Sequence, residues 1–65
     1  MFVVVNDRIH ALPEPLTLAA LLHLLSPPAP FAVARNAEVV RRAEYEQCCV
    51  HSGDRIDIVH PAAGG

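Results

Sequence analysis

Three groups of residues in this sequence could do chemistry: two adjacent cysteines, several scattered histidines and a terminal pair of glycines. Cys48 and Cys49 could accept sulfur, but no neighbouring residue obviously activates a thiolate, so a buried structural role is expected. They also lack the intervening residues of a zinc knuckle. No histidine has the short ligand spacing of a structural metal site, so no bound metal is expected. The histidines are His10, His23, His51 and His60.

The terminal Gly64-Gly65 offers a different candidate group, the terminal carboxylate of the chain itself. Two glycines without Cβ atoms form a narrow, flexible thread that can enter a tunnel too tight for any side chain. A carboxylate does not react with a sulfur nucleophile until one oxygen becomes a good leaving group. The tail alone is weak evidence, because a frayed terminus would look the same.

The composition excludes several classes of protein. A chain of 65 residues forms one domain and leaves few residues to line a deep substrate pocket. The absence of lysine, a net charge of −2 and only three aromatic residues argue against nucleic-acid binding. Neither a nucleophile–base pair nor a phosphate loop appears, so an independent enzyme is not expected. With no basic leader segment and no apolar run long enough to cross a bilayer, a cytoplasmic location is predicted.

Alternating and turn-forming residues predict the elements that would position the tail. Residues 2–12 are typical of a hairpin that turns at Asn6-Asp7. A leucine stripe behind Thr17 predicts a helix of two to three turns. Three further strands are predicted at 31–35, 38–40 and 55–59, with a short turn or 3₁₀ segment between the last two.

This order predicts an α+β fold: a mixed five-stranded sheet with one main helix across one face. The first and last strands are expected to be parallel central neighbours. The domain is predicted over residues 1–60, and residues 61–65 are expected to form a flexible C-terminal tail.

Strand parity predicts a partner-docking face on the sheet side away from the helix. The polar residue of each strand, Asn6, Arg35 or Arg55, is assigned to this open side, and alternation then places its neighbours. Alanines 32 and 34 would point inward. A cluster of exposed apolar side chains usually marks an interaction site, although a register slipped by one residue would place the same side chains in the core. The predicted docking residues are Phe2, Val4, Phe31, Val33 and Val59.

Several segments together suggest a family. They are the opening MFVVVND, the Thr17-Leu18 helix start, the AVARNAEVV hairpin, the SGDRIDIV strand and the terminal GG. Across essentially the whole chain they resemble the ThiS family, sulfur carriers of thiamine biosynthesis with the ubiquitin-like β-grasp fold. The sequence departs from the family at Asn36-Ala37, where Asn-Gly is usual, and at Arg35, where an apolar residue is more frequent. Because alanine disfavours positive φ, the turn type at this hairpin is left open.

The resemblance implies how the tail would be used. Gly65 would be the reacting residue, and Gly64 would provide passage. An E1-like, ThiF-like adenylyltransferase would use ATP to form an acyl-adenylate on Gly65. A cysteine desulfurase or another persulfide donor would then replace the adenylate, leaving a thiocarboxylate that gives its sulfur to a ThiG-like thiazole synthase. The chain would bind no cofactor itself, and it would act as a protein co-substrate rather than an enzyme.

Three other classes of protein share the fold or the terminal glycines. The small subunit of molybdopterin synthase has the same fold, tail and activation chemistry, but donates its sulfur to a pterin precursor. A ubiquitin-like modifier would be joined to lysines of other proteins. A β-grasp interaction module would have the fold and an inert tail.

Overall fold

Asn6 and Asp7 form the turn of the first hairpin. In the computed structural model, which describes residues 1–61, strand β1 (Phe2–Val5) pairs antiparallel with β2 (Arg8–Ala11). Asn6 and Asp7 have φ of 48° and 67°. Two consecutive positive φ values fit the twist of a two-residue hairpin, and short polar side chains tolerate them. The predicted hairpin is confirmed.

The main helix begins and ends where the sequence predicts. A two-residue strand, β3 (Leu16–Thr17), leads into helix α1 (Leu18–Leu25). The Thr17 hydroxyl accepts a hydrogen bond from the Ala20 amide at 3.1 Å, which makes Thr17 the N-cap. Eight residues are too few for a stable isolated helix, so α1 depends on packing its buried leucines against the sheet. Those leucines are Leu18, Leu21 and Leu22.

The elements after the helix are β4 (Ala32–Arg35), β5 (Glu38–Val40), a 3₁₀ turn (Arg42–Glu44), β6 (Cys49–Val50) and β7 (Arg55–Val59). Three of these elements, β4, β5 and β7, complete the mixed sheet. Asn36 and Ala37, between β4 and β5, have φ of 50° and 69°. This hairpin therefore has the same backbone as the first one, even though alanine takes the place that glycine usually fills.

The strand order across the described residues is β2-β1-β7-β4-β5, with β1 and β7 parallel and every other neighbouring pair antiparallel. Central, parallel first and last strands confirm the predicted topology and the α+β fold. Strands β3 and β6 form a separate two-stranded ladder that the sequence did not predict. No helix within residues 1–61 has the length and apolar character needed to cross a membrane.

The hydrophobic core lies between α1 and one face of the sheet. Every second residue of β1 and β7 points into it, together with the helix leucines and single residues of β3, β4 and β6. Within the described chain the buried apolar residues are Val3, Val5, Leu16, Leu18, Leu21, Leu22, Val33, Val50, Ile56 and Ile58. This alternation confirms the parity predicted for β1 and β7.

The parity predicted for β4 is wrong. Val33 is only 1% exposed and pairs with Ile58, whereas Ala32 lies on the opposite face of the sheet. Phe31, just before the strand, is half-buried and packs against the core. The prediction failed because it assigned Arg35 to the open side. Arg35 points to the inner side, where Asp54 binds it.

Candidate functional site

Strand β7 carries the chain towards the tail from the middle of the sheet. At its end Val59 pairs with Ala32, so the chain leaves the sheet beside Phe31. The Pro30 carbonyl oxygen accepts a hydrogen bond from Nδ1 of His60 at 3.0 Å. This contact ties His60 to the loop that precedes β4. The predicted site residues Gly64 and Gly65 lie outside the described residues, and the domain boundary after residue 60 stays a prediction.

Two asparagines hold β7 in register. The Asn6 side chain donates to the Ile58 carbonyl at 3.1 Å and accepts from the Ile58 amide at 2.8 Å. In the second hairpin, the Asn36 side chain accepts from the Arg55 amide at 2.8 Å. Each asparagine stands at the first turn position of its hairpin and uses its amide to bridge to the central strand. The strand that leads to the tail is therefore bound to both hairpin turns.

A buried carboxylate strengthens the start of β7. Asp54 is 7% exposed and accepts hydrogen bonds from Nε of Arg35 (2.9 Å), Nδ2 of Asn36 (3.1 Å) and the His51 amide (2.8 Å). Burial raises the pKa of Asp54, but the three hydrogen bonds and the Arg35 charge outweigh it and leave the pKa below its ordinary value. Asp54 is therefore ionised at neutral pH and joins the second hairpin to β7.

The side of the sheet away from α1 carries a cluster of exposed apolar residues. We call it the open face and define it by Phe2, Val4, Ile9, Ala32, Ala34, Val39 and Val59, which the strand registers place on one side. Four of these side chains are largely exposed: Phe2 at 65%, Ile9 at 74%, Val39 at 72% and Val59 at 57%. Such a surface is suited to binding another apolar surface.

The open face differs in part from the predicted docking face. Phe2, Val4 and Val59 lie on it, whereas Val33 lies in the core. The sequence analysis missed Ile9 and Val39, although a signal for both was present. A two-residue turn at Asn6-Asp7 pairs Ile9 with Val4, and the equivalent turn in the second hairpin pairs Val39 with Ala34.

One charged network crosses the open face. Arg55 donates to Oδ2 of Asp57 at 3.2 Å and to Oδ1 of Asp7 at 3.0 Å. Exposed ion pairs add little to stability, but charges within an apolar surface can fix the register of a partner. The face therefore offers both apolar area and a charged group that could orient what binds there.

The cysteines occupy two different environments. Cys48 is half-buried, with its Sγ 3.9 Å from Nη1 of Arg35, and Cys49 is exposed on β6. The prediction of a buried role is wrong for Cys49, because Val50 takes the inward position of this short strand. Among residues 1–61 the histidine, cysteine and acidic side chains form no cluster of three that could hold a metal ion.

Comparisons with known proteins identify the family. The model of the ThiS family matches residues 3–65. The crystal structure of the thiamine biosynthesis protein ThiS from Geobacter metallireducens is 26% identical and superimposes with a TM-score of 0.88, each chain being covered completely. An NMR structure of a thiamine biosynthesis protein from the same organism is also 26% identical, with a TM-score of 0.80 over 100% of this chain and 88% of the other. A comparison with curated proteins gives no match. The predicted family is confirmed: the chain belongs to the ThiS family, and this membership supports a sulfur carrier in thiamine biosynthesis.

Proposed function

We propose that this protein carries sulfur for thiamine thiazole synthesis as a thiocarboxylate on Gly65. The observation that carries the proposal is the ThiS-family match, which runs through the terminal Gly64-Gly65. The anchoring of β7 adds support, because Asn6, Asn36 and His60 hold the strand that leads to these residues. The protein is a co-substrate in this scheme, and the enzymes that act on it supply the catalytic groups.

The chemistry takes place in two stages on the terminal carboxylate. A ThiF-like adenylyltransferase transfers AMP from ATP to Gly65, which turns a poor leaving group into a good one and releases pyrophosphate. The outer sulfur of a persulfide, supplied by a cysteine desulfurase or another donor, then displaces AMP and forms an acyl disulfide with the donor. A thiol reduces this disulfide by attacking the donor's sulfur, which leaves the thiocarboxylate on Gly65 and a new disulfide on the donor. The thiocarboxylate gives its sulfur to a ThiG-like thiazole synthase. The chain itself holds no cofactor in this scheme, and ATP is used by the adenylating partner.

The open face is the surface we assign to the adenylating partner. Phe2, Ile9 and Val59 would supply apolar contact area on one half of it, and Val39 on the other. Arg55, which lies between them, would match an acidic group of the partner. If the partner docks on this face, β7 lies in the middle of the contact. The residues that follow β7 would then leave the sheet at the edge of the interface.

Intact mass spectrometry tests the proposal directly. The protein is incubated with a ThiF-like adenylyltransferase, ATP, a persulfide donor and a thiol reductant, and we expect the mass gain of one oxygen exchanged for one sulfur. A chain ending at Ala63 is the matched control and should stay unmodified. If a partner preparation that loads another ThiS protein leaves this chain unchanged, the proposal is wrong.

A further inference from the structure

A small pocket lies beside the point where the described residues end. Its volume is about 200 Å³, and its walls come from the loop after α1 and from the 3₁₀ turn. This volume is well above the roughly 10–15 Å³ that one water molecule requires, so the pocket has room for a small polar group. We call it the exit pocket; its lining residues are Ala29, Pro30, Phe31, Arg42 and Tyr45.

The exit pocket is adjacent to His60, the last residue before the predicted tail. The Pro30 carbonyl, which accepts the His60 hydrogen bond at 3.0 Å, belongs to a residue of the pocket wall. Gly65 is the fifth residue after His60, and five extended residue steps span at most about 18 Å. The terminal carboxylate can therefore reach a pocket that begins next to His60.

The lining of the exit pocket matches a carboxylate. Arg42 is exposed, and its guanidinium forms no ion pair with any other residue among 1–61. A guanidinium offers a planar pair of N–H donors that fits the two oxygens of a carboxylate. The hydroxyl of half-buried Tyr45 is a further donor, and Pro30 and Phe31 supply apolar walls.

We propose that the exit pocket binds the Gly65 carboxylate of the same chain before any partner engages it. Tethering favours this occupant over acidic groups of other molecules, because a short linker gives an effective concentration in the millimolar range. The terminal glycines add no side chain that the small pocket would have to accommodate. This inference goes beyond the proposed function, since it concerns the unloaded protein and does not depend on sulfur transfer.

Nuclear magnetic resonance of the isolated protein tests the inference. Spectra of the natural chain are compared with those of a chain whose terminus is a carboxamide, which removes the charge but keeps both glycines. We expect the Arg42 Nε–H signal and the Tyr45 ring signals to differ between the two forms. Arg42→Gln should abolish the difference. Arg41→Gln should preserve it, because Arg41 is a neighbouring exposed arginine that already pairs with Glu44 at 3.5 Å.

Three outcomes would overturn the inference. Differences confined to residues next to the terminus would mean that the carboxylate does not enter the pocket. Differences that persist in a folded Arg42→Gln protein would mean that Arg42 does not bind it. Differences that fade on dilution would identify the terminus of a second molecule as the ligand. The experiment contains neither adenylyltransferase nor ATP, so a failure here is distinct from a failure of the proposed function.

Discussion

At the scale of single residues, Ala37 is the clearest case of strain. It has φ of 69°, a left-handed backbone that costs an L-residue roughly 1–2 kcal/mol. Ala37→Gly removes this cost but gives the unfolded chain more freedom, worth about 0.4–1 kcal/mol. We therefore expect a net gain in the free energy of unfolding of about 0.5–1 kcal/mol, measured by urea denaturation. Ala34→Gly is the control, since Ala34 lies within β4 and glycine should weaken the strand. A less stable Ala37→Gly protein would contradict the prediction.

Asp54 makes the stability of the protein depend on pH. The folded pKa lies below the unfolded value of 3.8, so the stabilisation from Asp54 is complete above that value. It is lost as the pH falls through the folded pKa. We therefore expect the free energy of unfolding, followed by circular dichroism in urea, to decline on the acid side of 3.8.

Asp54→Asn should remove much of this acid-side decline. At neutral pH it should also cost about 1–3 kcal/mol, because the buried side chain at this position loses its charge and one of the two oxygens that accept from Arg35, Asn36 and the His51 amide. Asp57→Asn is the control, since its partner Arg55 is largely exposed. If both variants lost the same free energy of unfolding, the hydrogen bonds of buried Asp54 would contribute no more than an exposed ion pair.

At the scale of elements, the sequence predicts what is local and misses what depends on distant partners. Both hairpins and α1 follow from neighbouring residues: a turn pair, a cap and a leucine stripe. The parity of β4 does not, because Arg35 is drawn inward by Asp54, 19 positions away. Strands β3 and β6 were missed because two residues are too few to show an alternating pattern. The candidate site was predicted equally unevenly. The side chains of β1 and β7 were assigned to the correct faces of the sheet, whereas those of β4 were assigned to the opposite faces.

The two faces of the sheet should respond differently to substitution. Ile9 is 74% exposed, so Ile9→Asp should change the free energy of unfolding by no more than about 0.5 kcal/mol. It should nevertheless weaken binding to the adenylyltransferase, measured by calorimetry, because it places a charge in the apolar open face. Val33→Ala, in the core, should instead cost about 2 kcal/mol of stability. Unchanged affinity of a folded Ile9→Asp protein would exclude the open face as the docking surface.

At the scale of the whole molecule, the proposed function divides the chain into a folded body, described over residues 1–61, and a reacting terminal residue, Gly65. The buried core ends at Ile58, and the hydrogen bonds of Asn6 and His60 hold the last strand in place. Under the proposed function, stability and reactivity depend on different residues, and substitutions of two glycines should separate them. Gly53, in the turn before β7, has φ of 86° and no atom within 4 Å of where a Cβ would lie. Gly64 has its proposed role inside a partner enzyme.

Gly53→Ala should lower the free energy of unfolding by roughly 1–2 kcal/mol through backbone strain, while the rate of adenylation stays unchanged. Gly64→Val should leave stability unchanged, because the apolar core described within residues 1–61 ends at Ile58. Excess volume in a tight passage costs about 1–3 kcal/mol, so adenylation should slow by about tenfold to a hundredfold. Urea denaturation and pyrophosphate release from ATP measure the two quantities on the same proteins. If Gly64→Val were loaded at the natural rate, the terminal glycines would not be needed for passage, and any residue that keeps the terminal carboxylate would serve.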